Sequence, residues 1–208
     1  MKIYLDNISK KFNREWVFRN LSFEFSTQYC YCILGNNGSG KSTLLQVIAG
    51  NILPTDGLIK YEYKGNDISS DDIYKYLSFC APYLELIEDY TIVEMIKFHG
   101  QFKKYLNGFT NKNIIDLTEF DEVICNRKIK DYSTGMKQLV KLLLAVMSDV
   151  PFIVLDEPCT NMDNKNILWF HQLIKTYLNN RLLLISSNNK EEELALCNKH
   201  ILIENYKK

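Results

Sequence analysis

The sequence predicts an α/β fold with a mostly parallel central sheet, an N-terminal antiparallel β part and an inserted helical subdomain. Three apolar runs lack polar alternation: Cys30–Leu34 (CYCIL), Phe152–Asp156 (FIVLD) and Leu182–Ser186 (LLLIS). Such runs are typical of parallel strands covered on both faces. Strand-like and helix-like segments alternate around them, and a helical stretch from about residue 83 to 150 interrupts this alternation.

The remaining elements follow from the same patterns. Strands are expected at Lys2–Asn7, Leu21–Phe25, Tyr29–Leu34, Leu58–Tyr63, Leu77–Cys80, Phe152–Asp156, Leu182–Ser186 and His200–Glu204. Helices are expected at Lys41–Gly50, Ile92–Tyr105, Thr134–Ser148, Asn164–Asn179 and Lys190–Cys197. Within the helical insert, Gly108, Asn111 and Asn113 are predicted to separate two helices.

Length and composition indicate a single domain covering residues 1–208. The formal net charge is zero, which gives no support for a nucleic-acid partner. No apolar run approaches the roughly 20 residues that span a bilayer, and the N-terminus lacks a signal-peptide core. We therefore expect a cytoplasmic protein that reaches a membrane only through a partner. The six cysteines lack metal-binding spacing and are expected to be reduced thiols.

Residues 35–43 (GNNGSGKST) join an apolar strand to a helix and satisfy the phosphate-binding P-loop pattern through Gly35, Gly40, Lys41 and Ser42. Glycines allow backbone N–H groups to surround phosphate oxygens at a helix N-terminus. Lys41 is expected to reach the β- and γ-phosphates, and Ser42 to bind Mg²⁺. The predicted nucleotide contacts are Gly35, Asn36, Asn37, Gly38, Ser39, Gly40, Lys41, Ser42 and Thr43. The fold is thus predicted to be a P-loop NTPase core.

Two carboxylates end the apolar strand at residues 152–158 (FIVLDEP). Asp156 is expected to hold the Mg²⁺ shell, as a carboxylate at this strand end does in P-loop enzymes. Glu157 is the candidate general base that activates the attacking water.

A third motif narrows the class of protein. Tyr132-Ser133-Thr134-Gly135-Met136 resembles the Leu-Ser-Gly-Gly-Gln signature of ATP-binding cassette (ABC) ATPases, and it lies in that family's order between the P-loop and the acidic strand. The resemblance covers nearly the whole chain. It implies the ATP-binding subunit of an ABC transporter, with ATP and Mg²⁺ as cofactors.

The resemblance also implies partners and further site residues. Two such domains would close head to tail, so that Ser133 and Gly135 hold the γ-phosphate of the ATP bound by the other domain, which is either identical or homologous. A separate polytopic membrane subunit would be the transport partner. Phe12 is the first candidate to stack on adenine and Trp16 the second; either ring could instead be ordinary packing. Asp163 either contacts the opposite protomer or caps the helix that follows it.

The chain departs from the family pattern at two positions. Pro82 stands where the family has a glutamine that senses Mg²⁺, and Asn188 stands where it has a histidine after the strand Leu182–Ser186. Asn188 can donate a hydrogen bond to a γ-phosphate oxygen but cannot carry positive charge. We therefore assign catalytic roles to Glu157, Lys41 and Asn188. Asn189 is expected to cap the next helix, with Glu192 completing a capping box.

The apolar loop after Pro82 corresponds to the family's groove for a cytoplasmic helix of the membrane subunit. Tyr83, Leu84, Leu86 and Ile87 are either its contacts or internal packing. Two alternatives to a transport ATPase stay open at the level of sequence. One is a slow or non-hydrolysing nucleotide switch, and the other is a soluble non-transport ABC ATPase. The intact Asp156-Glu157 pair argues against the switch.

Overall fold

The computed structural model describes residues 1–106 and 108–207, which divide into two compact units. The first unit comprises residues 1–79, 150–157 and the chain from Asn180 onward. The second comprises residues 80–149 and 158–179, so it takes in a segment beyond the predicted helical insert.

The first unit contains two sheets. The antiparallel sheet has the order β2-β1-β4-β5, and the five-stranded sheet has the order β6-β7-β8-β3-β9. Neighbouring strands β7, β8, β3 and β9 run parallel, as the apolar runs predicted. The strands are β1 (Lys2–Phe12), β2 (Glu15–Ser26), β3 (Cys30–Leu34), β4 (Asp56–Tyr63), β5 (Asn66–Ile68), β6 (Leu77–Cys80), β7 (Phe152–Asp156), β8 (Leu182–Ser187) and β9 (Lys199–Leu202).

One hydrophobic core joins the two sheets of this unit. Helix α1 (Lys41–Ile48) contributes Leu44 and Ile48 to a cluster that also contains Ile3, Phe152 and Leu184, all completely buried. Every residue of β7 and of β8 is buried, which explains why their sequences carry no polar alternation. The α/β class predicted from the sequence is confirmed.

The second unit is helical. Its helices are α2 (Ile92–Phe102), α3 (Asn111–Asp116), α4 (Glu122–Asn126), α5 (Thr134–Met147) and α6 (Asn164–Tyr177). A further short helix, α7 (Glu191–Leu194), and the 3₁₀ turns Ser70–Lys75 and Ile203–Tyr206 belong to the first unit, and the 3₁₀ turn Ile129–Asp131 to the second. Within the described residues, no helix is long and apolar enough to cross a membrane.

Several predicted boundaries were wrong for identifiable reasons. Strand β1 continues past Asn7, because a left-handed residue (φ 50°) and a register shift bend the strand there instead of ending it. Helix α2 stops at Phe102, since Lys103 is extended and Tyr105 pairs with Ser148. The last predicted strand is shorter, because Ile203 begins a 3₁₀ turn.

Asn111 and Asn113 were predicted to break the helical insert, yet both lie in α3. Thr110 caps this helix, and the Asn113 side chain accepts from the Thr110 N–H at 3.0 Å, which completes a capping box. The capping offsets the low helix propensity of asparagine. Helices α3 and α4 and the short strand β5 have no counterpart in the sequence prediction.

Candidate functional site

Three strand ends of the first unit meet at one edge of the parallel sheet. In the observed register Asp156 of β7 lies beside Ser186 of β8, and Leu34 of β3 lies beside Ser187. The P-loop follows β3, Glu157 follows β7 and Asn188 follows β8. Parallel register therefore brings together residues that are more than a hundred positions apart in the chain.

The P-loop forms one wall of a cavity of about 450 Å³. Seven of the nine predicted phosphate contacts line it, together with Phe12, Val17 and Glu157; the seven are Asn37, Gly38, Ser39, Gly40, Lys41, Ser42 and Thr43. Gly40, the N-cap residue of α1, has a φ of 104°, and a Cβ there would collide with the Val17 side chain. A glycine is therefore required at this turn.

Gly35 and Asn36 hold the lysine of the P-loop in place. Their carbonyl oxygens accept hydrogen bonds from the Lys41 ammonium, at 2.9 Å from Gly35 and 3.2 Å from Asn36. The Asn36 N–H donates to Glu204 Oε1 at 2.8 Å, so this amide is already engaged. The hydrogen bond from the Asn36 backbone holds the pKa of Glu204 below its usual value.

Lys41 lies between the loop and the acidic strand end. Its side chain is 4% exposed, and its ammonium is 3.5 Å from Glu157 Oε1. Lysine and glutamate thus form an ion pair at the mouth of the cavity, where an anionic substrate would compete with the carboxylate for the ammonium. This arrangement suits a lysine that binds phosphate.

Asp156 lies deeper than Glu157, and burial raises the pKa of its carboxyl group. Hydrogen bonds from the Ser186 and Ser42 hydroxyls act in the opposite direction and favour the carboxylate. Asp156 Oδ2 is buried and has no hydrogen-bond partner among residues 1–106 and 108–207. A carboxylate oxygen without a partner beside a serine hydroxyl fits Mg²⁺, which prefers oxygen ligands and completes its shell with substrate phosphates and water.

Glu157 adopts an unusual backbone conformation, with a φ of 45°. The left-handed region costs a residue with a side chain on the order of 1–2 kcal/mol. The Glu157 N–H donates to both the Ser186 carbonyl at 3.2 Å and the Ser186 hydroxyl at 3.1 Å. These bonds maintain the conformation that directs Glu157 to the cavity. Sequence analysis assigned no role to Ser186, because the contact crosses two strands.

Of the two candidate adenine rings, the geometry favours Phe12. It is 48% exposed and lines the same cavity as the P-loop. The Trp16 ring already has the Lys11 ammonium 4.9 Å and the Arg19 guanidinium 4.8 Å from its centre. The Phe12 ring has a similar contact, with the Lys10 ammonium 5.0 Å from its centre, so the preference for Phe12 rests on its place in the wall of the cavity.

The residues after β8 differ in part from the prediction. Asn188 is exposed just beyond the end of the strand. Asn189 does not cap the next helix: its φ of 57° is left-handed, and Lys190 occupies the N-cap position. The Ser187 hydroxyl accepts from the Lys190 N–H at 3.1 Å and stabilises this turn. A left-handed asparagine was thus mistaken for a helix cap.

The second unit carries the signature segment at the start of α5. Ser133 is exposed and caps the helix by accepting from the Met136 N–H at 3.2 Å. A Cβ on Gly135 would lie 3.2 Å from the Asn161 carbonyl, so a larger residue would push this neighbour away. Asp163 caps α6 through a 2.8 Å bond from the Asn166 N–H, which accounts for that residue in the isolated chain.

The loop after β6 is held by a residue that sequence analysis missed. The Lys141 ammonium donates to the Ala81 carbonyl at 3.2 Å and to the Pro82 carbonyl at 3.3 Å. Beyond this anchor, Tyr83, Leu84 and Ile87 are exposed and Leu86 is half-buried. The loop and α5 border a cavity of about 190 Å³.

Comparison with known proteins agrees with this geometry. A family model described as ABC transporter matches residues 18–160. The chain belongs to the ABC transporter family. It is an ATP-binding subunit of the transporter kind and belongs to the ATPases of that family.

Two similar proteins are named as ATP-binding proteins. The uncharacterized ABC transporter ATP-binding protein YybJ of Bacillus subtilis is 29% identical over 199 residues, which cover 92% of this chain and 87% of YybJ. The Nod factor export ATP-binding protein I of Rhizobium johnstonii is 26% identical over 206 residues, or 97% of this chain and 66% of that protein.

Solved structures support the fold. The dimeric post-hydrolysis state of the ATP-binding cassette MJ0796 with ADP and Pi has a TM-score of 0.80 at 23% identity, and the match covers 97% of this chain and 94% of that one. An ATP-binding subunit of an ABC transporter has a TM-score of 0.82 at 18% identity, with 98% and 86% covered.

Proposed function

We propose that this ABC ATPase works as a head-to-tail pair of domains, identical or homologous, that powers a separately encoded polytopic membrane subunit. The observation that carries the proposal is the convergence of Lys41, Ser42, Asp156 and Glu157 at one sheet edge, beside a cavity that Phe12 also lines. Attachment to the membrane subunit places the protein at the cytoplasmic face of a membrane.

In the proposed mechanism, P-loop amides and the Lys41 ammonium bind the ATP phosphates while Phe12 stacks on adenine. Ser42 and Asp156 would hold Mg²⁺, which would supply Lewis-acid polarisation of the phosphate oxygens. Glu157 accepts a proton from water as the water oxygen bonds to the γ-phosphorus. The bond from the γ-phosphorus to the β–γ bridging oxygen breaks, and ADP and inorganic phosphate leave.

Asn188 donates a hydrogen bond to a γ-phosphate oxygen in this mechanism. Ser133 and the Gly135 backbone, at the positive end of the α5 dipole, hold the γ-phosphate bound by the partner domain. ATP thus joins two domains, and its hydrolysis releases them.

The exposed apolar loop Tyr83–Ile87 is the proposed contact with the membrane subunit. Three of its four apolar side chains are exposed, and exposed apolar side chains that lie together mark interaction sites more often than scattered ones do. The Lys141 anchor fixes where this loop begins and so limits how it can present those side chains.

The decisive experiment compares the wild type with Glu157→Gln. Removal of the base is expected to lower turnover by about a hundredfold or more. The variant is expected to retain ATP binding and to elute as a dimer on size-exclusion chromatography when ATP and Mg²⁺ are present. Equal turnover of the two proteins would contradict the role of Glu157, and a monomeric variant with bound ATP would contradict the dimer.

Transport is tested separately, by purifying the tagged chain from detergent-solubilised membranes of its host and identifying any polytopic membrane protein that co-purifies with it. A stable complex that is lost on mutation of Tyr83 and Leu84 to serine supports the transport role. Co-sedimentation with ribosomes instead would show a non-transport ABC ATPase.

A further inference from the structure

Ser186 occupies a central position in the acidic end of the site. It is fully buried on β8 and lies opposite Asp156 in the parallel register. Its hydroxyl donates to Asp156 Oδ1 and accepts from the Glu157 N–H at 3.1 Å. One hydroxyl therefore contacts both the candidate Mg²⁺ ligand and the residue that carries the candidate base.

The first consequence concerns the metal ligand. Because Ser186 engages Oδ1, the other carboxylate oxygen, Oδ2, remains without a hydrogen-bond partner among the described residues. A carboxylate held by one oxygen cannot rotate freely, so the direction of the second oxygen is fixed before a cation arrives. Ser186 thus helps to determine, alongside the Ser42 hydroxyl that also bonds Asp156, which carboxylate oxygen is available.

The second consequence concerns the base. The Glu157 backbone is left-handed, with a φ of 45°, and its N–H donates to both the hydroxyl and the carbonyl of Ser186. The carbonyl belongs to the main chain, so every substitution of Ser186 keeps it. A substitution such as Ser186→Ala removes the hydroxyl. The Glu157 carboxylate lies 3.5 Å from the Lys41 ammonium in this conformation.

We propose that Ser186 is a positioning residue for ATP hydrolysis, whose hydroxyl orients Asp156 for the cation and holds Glu157 toward the attacking water. This inference rests on the roles proposed above for Asp156 and Glu157. Catalysis is sensitive to misplacement of a base by an ångström or less, whereas nucleotide binding depends mainly on the P-loop. Loss of the hydroxyl should therefore affect kcat more than KM.

The test compares Ser186→Ala with Ser186→Thr and with Ser9→Ala. Ser9 is a matched control, because it is also buried and its hydroxyl accepts a backbone N–H, from Asn20 at 2.9 Å, in the antiparallel sheet. For Ser186→Ala we expect kcat to fall by about tenfold to a hundredfold, with the KM for ATP unchanged within about threefold. Ser186→Thr, which keeps the hydroxyl, should recover most of kcat, and Ser9→Ala should leave kcat unchanged.

A readout that does not depend on turnover is Mn²⁺ affinity, measured by electron paramagnetic resonance with a non-hydrolysable ATP analogue. Ser186→Ala should weaken Mn²⁺ binding while the affinity for the analogue in EDTA stays the same. In a Glu157→Gln background, Ser186→Ala should lower kcat by a smaller factor than in the wild type, because the part of its effect that acts through Glu157 is already lost.

The outcomes separate this inference from the proposed function. If the wild type hydrolyses ATP and Ser186→Ala retains its kcat and Mn²⁺ affinity, Ser186 has no positioning role. If Ser186→Ala and Ser9→Ala lower kcat equally and in line with their loss of thermal stability, the hydroxyl is only structural. A wild type whose turnover equals that of Glu157→Gln would instead overturn the proposed base.

Discussion

Acidification should destabilise the helical unit through His99. Its ring stacks on Tyr105, with centroids 5.7 Å apart, and its Nδ1 is buried without a hydrogen-bond partner in the part of the chain that the structure describes. Burial, reinforced by the nearby Lys103, lowers the pKa of His99 from 6.5 to about 4. The unfolded chain therefore binds a proton at a pH where the folded unit does not.

The direction and the size of the change in unfolding free energy with pH follow from this difference in proton binding. The unfolded state holds more protons between pH 6.5 and about 4, so stability falls as the pH falls through that interval and levels off below it. The difference between the pKa of His99 in the unfolded and in the folded state corresponds to about 3 kcal/mol of unfolding free energy. His99→Phe keeps an aromatic ring against Tyr105 and cannot titrate, so the stability of the wild type relative to this variant isolates the histidine.

The assay is guanidinium unfolding of both proteins between pH 7.5 and 4. Trp169 reports on this unit, because its indole N–H donates to the Leu117 carbonyl at 2.7 Å, and a Trp16→Phe background removes the other tryptophan. The free energy of unfolding of the wild type, relative to that of His99→Phe, should be about 3 kcal/mol lower at pH 4 than at pH 7. A difference that stays constant with pH would refute the reasoning.

Two predictions concern the nucleotide site. Asn188→Ala should lower turnover by about tenfold and change ATP affinity by no more than a few-fold. Asn188→His is the control, because it supplies a donor that can carry positive charge. Unchanged turnover of Asn188→Ala would show that Asn188 has only a structural role in the turn. Glu204→Ala should raise the KM for ATP severalfold, because the Asn36 N–H loses its acceptor and the loop around Lys41 becomes less ordered. Glu204→Gln keeps an acceptor oxygen, so this control should bind a fluorescent ATP analogue as tightly as the wild type does. Equal affinities for Glu204→Ala and the wild type would count against this role of Glu204.

The two departures from the family pattern have different structural settings. At Pro82, the Lys141 ammonium binds the loop through main-chain carbonyls, which require no particular side chain on the loop itself. Burial lowers the pKa of this lysine. At Asn188 the strand end is intact, because Ser186 and Ser187 continue β8 in register with β7 and β3. The main chain is thus well ordered by hydrogen bonds at both positions where the sequence departs from the family pattern.

Much of the site could be predicted because its parts are local. The P-loop lies within nine consecutive residues, and the spacing of its glycines, lysine and serine is sufficient to predict phosphate binding. Asp156 ends a completely buried strand and Glu157 follows it. Ser133 and Asp163 cap helices by accepting from N–H groups three residues further on. Such features depend on backbone geometry over one or two turns, which a sequence pattern can express.

The sequence by itself determined the α/β class, the phosphate loop, the acidic pair and the family. Only the tertiary structure decided how these parts are held. Ser186 reaches Asp156 across 30 positions, Lys141 reaches Ala81 across 60, and Glu204 reaches Asn36 across 168. The physical reason is that such contacts depend on strand register and on the packing of distant segments. Register and distant packing produce no periodicity or fixed spacing in the sequence. The roles of Ser186, Lys141 and Glu204 therefore could not be predicted before the three-dimensional arrangement was known.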